Sequence, residues 1–255
     1  MSSALNASSD ASAVFGDSAR RTPSARLGVA VVHDLVTAIV NGEVAPGQTL
    51  PPEEKLAQHF GVSRTVVRES VKRVEEKGLI AVAPGRGTTV QPTTSWNILD
   101  PVVLSVMLEN DDALGVLDDL AVIRGSLEGE MSAETARRRS EEELALIHTA
   151  LTTMEQHVHD PDVFPQADVD FHFIVMTLSG NQLASNITKI LFQRARSSSR
   201  FTGHQSVDAH ALTLEEHRRV YEAIAAGDAE AAQAAMRAHI IDSWQRRRLP
   251  TQRKP

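Results

Sequence analysis

Residues 79–91, LIAVAPGRGTTVQ, alternate in character around a Pro-Gly-Arg-Gly turn, and no convincing strand signal follows anywhere after Pro101. Alternation broken by a glycine-containing turn predicts a two-stranded antiparallel hairpin. One hairpin and no later strand narrow the fold class to mainly α: a small helix-plus-hairpin domain joined to an all-helical domain.

Helical periodicity and its punctuation set the boundaries. Residues 1–25 are rich in Ser and Ala without periodicity and read as a disordered tail. Helices are expected over Val29–Val40, Glu53–Phe60 and Arg64–Lys77, with Ser63 as N-cap of the third and Gly78 ending it. The segment PTTSWNILDP then reads as a linker at 93–100. Beyond it, helices are expected near 101–109, 112–139, 141–159, 162–179, 182–201, 207–226 and 228–247, separated by ENDD, RRSEEE, HDPD, SGN, TGHQS and AGDAE. Residues 26–92 thus form one domain, 101–247 a bundle of six to seven helices, and 248–255 a tail.

Composition excludes several functions. The chain has 255 residues, enough for two domains. No apolar run reaches the roughly 18–20 residues of a membrane helix. The polar N-terminus lacks the apolar segment of a secretory signal. The absence of cysteine removes disulfides and thiolate metal sites and fits a cytoplasmic location. At a formal net charge of −7, nucleic-acid binding needs a local basic surface. One Tyr and two Trp argue against a stacking platform for single strands.

Three short helices and a hairpin are the layout of a winged helix-turn-helix, whose third helix enters the major groove of DNA. Arg64, Arg68 and Lys72 recur at i, i+4 and i+8 on that helix and share one side. Ser63 and Thr65 place short hydroxyls at its start, where they reach phosphates or base edges. Arg86, between Gly85 and Gly87, sits at the hairpin tip, where a wing meets the backbone or minor groove. Basic and acidic residues nearly balance between Arg26 and Gln91, but the basic ones cluster on the third helix. A solvated charged face is the plainer reading of such a helix. The whole segment LPPEEKLAQHFGVSRTVVRESVKRVEEKGLI…GRGTTV, however, resembles the DNA-binding domain of the GntR family of bacterial transcriptional regulators over about residues 27–92. The resemblance implies DNA contacts at Ser63, Arg64, Thr65, Arg68, Gly85 and Arg86. One position departs from the pattern: Glu54 stands where the family usually has Arg, followed by Lys55. Either Lys55 substitutes or contact with the operator is weaker there.

In the helical region, Asp168 and His172 lie one turn apart on a stripe with Phe164, Phe171 and Val175. His217 shares a stripe with Leu214, Tyr221 and Ile224, and His239 one with Ala232, Ala235, Met236 and Ser243. Taken singly, each is more often a satisfied core histidine, the reading retained for His148, His157, His159, His204 and His210. Three neutral imidazoles and a carboxylate nevertheless suit a divalent metal, zinc by preference, with nickel, manganese or iron also open. A metal also offsets the cost of burying the Asp168 charge. The stretches VIRGSLEGEMSAETA, ADVDFH…LSGN and EEHRRVYEAIAAGDAEAAQAAMRAHI resemble the all-helical FCD ligand-binding domain of the FadR-type branch of the GntR family, over about 100–247. The resemblance implies metal ligation by Asp168, His172, His217 and His239, and the complete set argues against members that bind acyl-CoA without a metal. Arg124 shares an inward stripe with Leu117, Ala121 and Met131. It reads either as a partner of Glu128 one turn on or as an anchor for an effector carboxylate; the matching Arg of the family lines the effector cavity. Asn186 and Arg194 are further pocket candidates. WNILDPVVL resembles regulators of sugar-acid catabolism.

The expected protein is therefore no enzyme. It is a homodimeric regulator, a repressor by preference, that binds a palindromic double-stranded operator and answers to a small carboxylate or sugar acid, with no membrane partner. The alternative is a metal-dependent hydrolase using the same Asp/His site, although the chain has no HExxH motif and no obvious general base.

Overall fold

The computed structural model describes residues 23–110, 115–196 and 207–247, and side chains within them except at 23–25 and 207–208. The expectations for residues 1–22 and 248–255, for the break at residues 111–112 of ENDD, for the helix ends at 112–114 and 197–201, and for TGHQS lie outside these. The chain divides into two compact units, Met1–Val106 and Met107–Pro255.

In the first unit, α1 spans Pro23–Val40, six residues longer at its start than the sequence predicts. Pro23–Ser24–Ala25, expected as tail, are helical. Pro is well suited to a first helical turn, where its missing N–H costs no bond. Val31, Val32, Leu35, Val36 and Ile39 are all buried on one stripe of α1. That stripe packs against α3 (Arg64–Glu76), where Ser70 Oγ donates to the Gly28 carbonyl at 3.3 Å. Between them, α2 (Glu53–Phe60) ends at Gly61, whose φ of 64° is left-handed. Ser63 Oγ accepts from Val66 N–H at 3.3 Å, the cap that the sequence predicts. Strands β1 (Ile80–Ala83) and β2 (Gly87–Val90) pair antiparallel, Ile80 opposite Val90. Arg86 N–H donates to the Ala83 carbonyl across Pro84 and Gly85, and Gly85 supplies the φ of 75° that a type II turn requires.

Two features exceed the sequence reading. Residues 47–50 extend the hairpin, with Leu50 N–H donating to the Thr88 carbonyl at 2.8 Å. The expected linker is itself built: Thr93–Ser95 form a 3-10 turn, and Asp100 pairs with Lys77 at 2.6 Å. Asp100 also accepts from Val102 N–H and so caps α4 (Pro101–Glu109), which carries the division between units.

The second unit contains α5 (Val116–Arg138), α6 (Glu141–Gln156), α7 (Phe164–Leu178), α8 (Gln182–Arg196), α9 (Val207–Ala226) and α10 (Ala229–Arg247). No helix among the described residues is long and apolar enough to cross a membrane. Helix α5 is central, touching α7, α8, α9 and α10, with α10 the most extensive contact. The ends follow their capping chemistry: a Ser140–Glu143 capping box starts α6, Asn181 Oδ1 accepts from Ala184 N–H, and Asp228 Oδ1 accepts from Ala231 N–H. A core of Phe164, Phe171, Ile147, Met154, Ile224 and Met236 fills the space between α6, α7, α9 and α10.

Gly125 and Gly129, one turn apart on α5, set how near α10 comes. A Cβ at Gly129 would stand 3.0 Å from the Gln233 carbonyl oxygen, and one at Gly125 3.4 Å from Arg237. Those two glycines flank Glu128, so the same close approach fixes the depth of the Arg124–Glu128 face. Gly129→Val should therefore destabilise the second unit by about 1–3 kcal/mol through overpacking, measured by urea unfolding. An unchanged midpoint would show that the helices do not meet at this distance.

Candidate functional site

On the first unit, α3 buries Val67, Ser70, Val71 and Val74 and leaves Arg64, Thr65, Arg68 and Lys72 exposed. These four share a concavity with Glu53, Glu69, Glu75 and Val82. Ser63 is exposed at the head of the helix, and Gly85 and Arg86 are exposed at the hairpin tip. Glu75 Oε1 accepts from Val82 N–H at 2.8 Å and ties the hairpin to α3. Glu54, the position that departs from the family pattern, stands 2.8 Å from Arg64 Nη2 through its Oε2. Lys55 beside it is exposed.

On the second unit, Asp168, His172, His217 and His239 converge from α7, α9 and α10. One ligand atom of each lies within 4.8 Å of the others, and all four residues are buried. His217 Nε2 is 3.3 Å from Asp168 Oδ1, His239 Nε2 is 3.2 Å from His172 Nε2, and His172 Nε2 is 3.9 Å from Asp168 Oδ1. Ligands bound at about 2.1 Å stand roughly 3.0–3.4 Å apart at adjacent positions, so these spacings suit one shared ion.

The opposite ring nitrogens decide the chemistry. His217 Nδ1 lies 2.8 Å from the Thr213 carbonyl, which only accepts, so it donates there. His239 Nδ1 lies 2.9 Å from Glu216 Oε2. His172 Nδ1 lies 2.7 Å from Glu128 Oε2, an ion-pair distance without good hydrogen-bond alignment. With the proton on Nδ1, His217 Nε2 presents its lone pair to Asp168, and in the same tautomer the Nε2 lone pairs of His172 and His239 face each other. Asp168 Oδ1 and His217 Nε2 are buried and have no hydrogen-bond partner. Acceptors facing acceptors at these distances repel one another, and a cation between them removes the conflict. The cluster can hold a metal.

Protonation agrees with that role. Burial, and then the field of His239, pushes His217 well below the usual imidazole value; burial also lowers His239. Burial opposes ionisation of Glu128, but Arg124 and then His172 outweigh it and hold its carboxyl down to about 2. Asp168 is likewise held below the usual carboxylate range, burial being outweighed by the imidazoles and Arg247.

Arg124 is buried and carries both roles read from the sequence. Its Nε donates to Glu128 Oε1 at 2.7 Å, its guanidinium lies 4.2 Å from the Phe192 ring centroid, and it lines a cavity with Asp168, His172 and His239. Glu128 therefore joins the arginine to a histidine of the cluster. Asn186 and Arg194 are exposed and are not among the residues lining this cavity. Trp244 and Arg247, at the end of α10, do line it. So does Phe192; none of these three stands out in the sequence, because Trp244 and Arg247 lie beyond the stripe Ala232–Ser243 and Phe192 is on another helix. The remaining histidines keep their plain role where described: His210 stacks on Phe164 at 4.3 Å, and His148 leans on Tyr221.

Residues 119–242 match the family described as FCD domain, and residues 27–90 match the bacterial regulatory proteins of the gntR family. The galactonate operon transcriptional repressor of Escherichia coli (strain K12) is 31% identical over 85% of this chain and 94% of its own. The chain belongs to the GntR family. The HTH-type transcriptional regulator LutR of Bacillus subtilis (strain 168) is 30% identical over 80% of this chain and 93% of its own. A solved structure described as Lar, which controls expression of the Listeria monocytogenes agr system, is 22% identical and covers 89% of this chain and 97% of that one. Its TM-score of 0.50 bears on the fold alone. This GntR-family chain is a DNA-binding transcription regulator, and its relatives are regulators rather than enzymes, which removes the hydrolase alternative.

Two outcomes are expected. Glu128→Ala should weaken metal binding about 10–100-fold, read by competition with a chromogenic chelator, because His172 loses the carboxylate that orients it. Unfolded His217 and His239 take up protons near the ordinary imidazole value of 6.5, while the folded residues resist them. The unfolded state then binds more protons, so the stability of the metal-free protein should fall as pH drops below that value. A melting temperature flat between pH 7 and 5.5 would contradict the buried neutral imidazoles.

Proposed function

We propose that this regulator represses a catabolic operon and releases it when a small carboxylate, a sugar acid by preference, binds at a divalent metal in the FCD domain. Asp168, His172, His217 and His239 would hold the metal, zinc being the natural candidate for a site of neutral imidazoles and one carboxylate. The observation that carries the reading is the convergence of those four ligand atoms, with Asp168, His172 and His239 lining the same cavity as Arg124. A metal with open positions supplies Lewis-acid affinity for a carboxylate oxygen. Arg124 supplies its terminal nitrogens to the same anion, while Nε stays on Glu128. One relative is a galactonate operon repressor, and galactonate is an aldonate that fits this chemistry.

Ser63, Arg64, Thr65, Arg68, Gly85 and Arg86 form the DNA-contacting set of the proposal. Their exposure on α3 and at the hairpin tip supports it. A homodimer reading a palindrome in the cytoplasm completes the picture, since a two-fold protein matches a two-fold site. The ligand acts only by preferring one state of the protein over the DNA-competent one.

The test combines metal analysis with capture of genomic DNA fragments by the purified protein, with and without galactonate and related sugar acids. Wild type should carry about one metal ion per chain and enrich a palindrome, and a sugar acid should lower that enrichment. Arg64→Ala should lose operator affinity about tenfold or more while keeping its metal. His217→Ala should lose the metal and the ligand response while keeping its helicity. Metal content unchanged in His217→Ala would remove the proposed ligand set, and unchanged operator affinity in Arg64→Ala would remove the proposed reading helix.

A further inference from the structure

We infer that Glu54 is a specificity-determining residue of the DNA-reading face: its carboxylate holds the Arg64 guanidinium for a base edge and away from phosphate. The inference rests on the reading of α3 as the DNA-contacting helix.

Glu54 lies in the first turn of α2 and Arg64 is the first residue of α3. Their 2.8 Å contact is made by side chains that are 64% and 65% exposed, so packing holds neither of them. The ion pair is therefore what orients the guanidinium. Such an exposed pair adds little to folding stability. Its effect falls on what the arginine does next. Arg68 and Lys72, exposed on the same side of α3, have no acid at ion-pair distance among the described residues. They are the cations left to meet the phosphate backbone.

Two consequences follow from placing a carboxylate here. Guanidinium presents a rigid fork of donors, and one nitrogen on Glu54 leaves the others for the paired acceptors of guanine. An arginine already oriented loses less freedom on pairing with that base. The same carboxylate repels phosphate, and phosphate contact supplies nearly all sequence-independent binding. Both effects raise the ratio of specific to non-specific affinity, the first by helping the correct site and the second by weakening every other.

The experiment uses the full-length, metal-loaded protein. Wild type selects from a random duplex library, and the enriched duplex and an unrelated duplex are then titrated across a salt series. The variants are Glu54→Gln, Arg64→Ala and the double substitution. Glu54→Gln should bind the unrelated duplex more tightly, with a salt slope steeper by about 0.9 as the released Arg64 meets a phosphate. Its ratio of specific to non-specific affinity should fall about fivefold or more. In the Arg64→Ala background, Glu54→Gln should leave the ratio unchanged. An equal gain on both duplexes would make Glu54 a bulk charge and overturn the inference, as would a change of ratio that persists without Arg64. A wild type that enriches no sequence would overturn the reading of α3 itself, and the inference with it.

Discussion

Three imidazole rings with their protons on the far side are the constraint around which the second unit is organised. Each ring is turned by what its Nδ1 meets: a carbonyl on its own helix for His217, Glu216 for His239 and Glu128 for His172. Those contacts turn the Nε2 atoms inward, that of His217 toward Asp168 and those of His172 and His239 toward each other. Without a cation the arrangement is electrostatically unfavourable, because Asp168 Oδ1 and His217 Nε2 stand 3.3 Å apart with no hydrogen-bond partner. The fold around it supplies the energy to hold them together. Phe171 is fully buried and packs edge-on against His217 at 4.6 Å, and it belongs to the same core as Ile224 and Met236. Preorganisation of this kind favours tight binding of an ion, since the ligands are already in place and stripped of water.

That geometry depends on helix α5, which gives the cluster no ligand of its own. Its glycines let α10 approach, which brings His239 near His172. The carboxylate beside them, Glu128, holds Arg124 with one oxygen and His172 with the other. Under the proposed function, an anion at Arg124 and a metal at His172 would compete for, or share, the same buried charge, and their coupling would be a property of one side chain.

Much of this was legible in the sequence, for reasons that particular residues make plain. Asp168 and His172 stand out because four residues make one helical turn and their stripe is otherwise aromatic and aliphatic. Ser63 and Gly61 mark helix ends because a hydroxyl cap and a left-handed φ are local chemistry. What stayed hidden is what crosses between helices. Glu128 could be paired with Arg124 by spacing, but not with His172 on α7. Glu216 precedes a ligand histidine by one position, yet its partner is on α10. Asn186 and Arg194 are exposed on α8, an orientation that their polarity alone does not reveal. The start of α1 was missed because Pro-Ser-Ala reads as loop until the buried stripe that follows is known.

The cavity beside Arg124 has a volume of about 20 Å³, enough for a water molecule and far too little for a sugar acid. The ligand proposed above would have to meet a more open form of the domain, and its apparent affinity would be reduced by the fraction of time that form exists. Trp244 donates to Asp118 at 2.7 Å and fastens the end of α10 to the start of α5, across the rim of that cavity. Under the proposed function, the strength of one indole hydrogen bond would enter the threshold concentration of the response, and a chain with a weaker latch there would answer to less ligand.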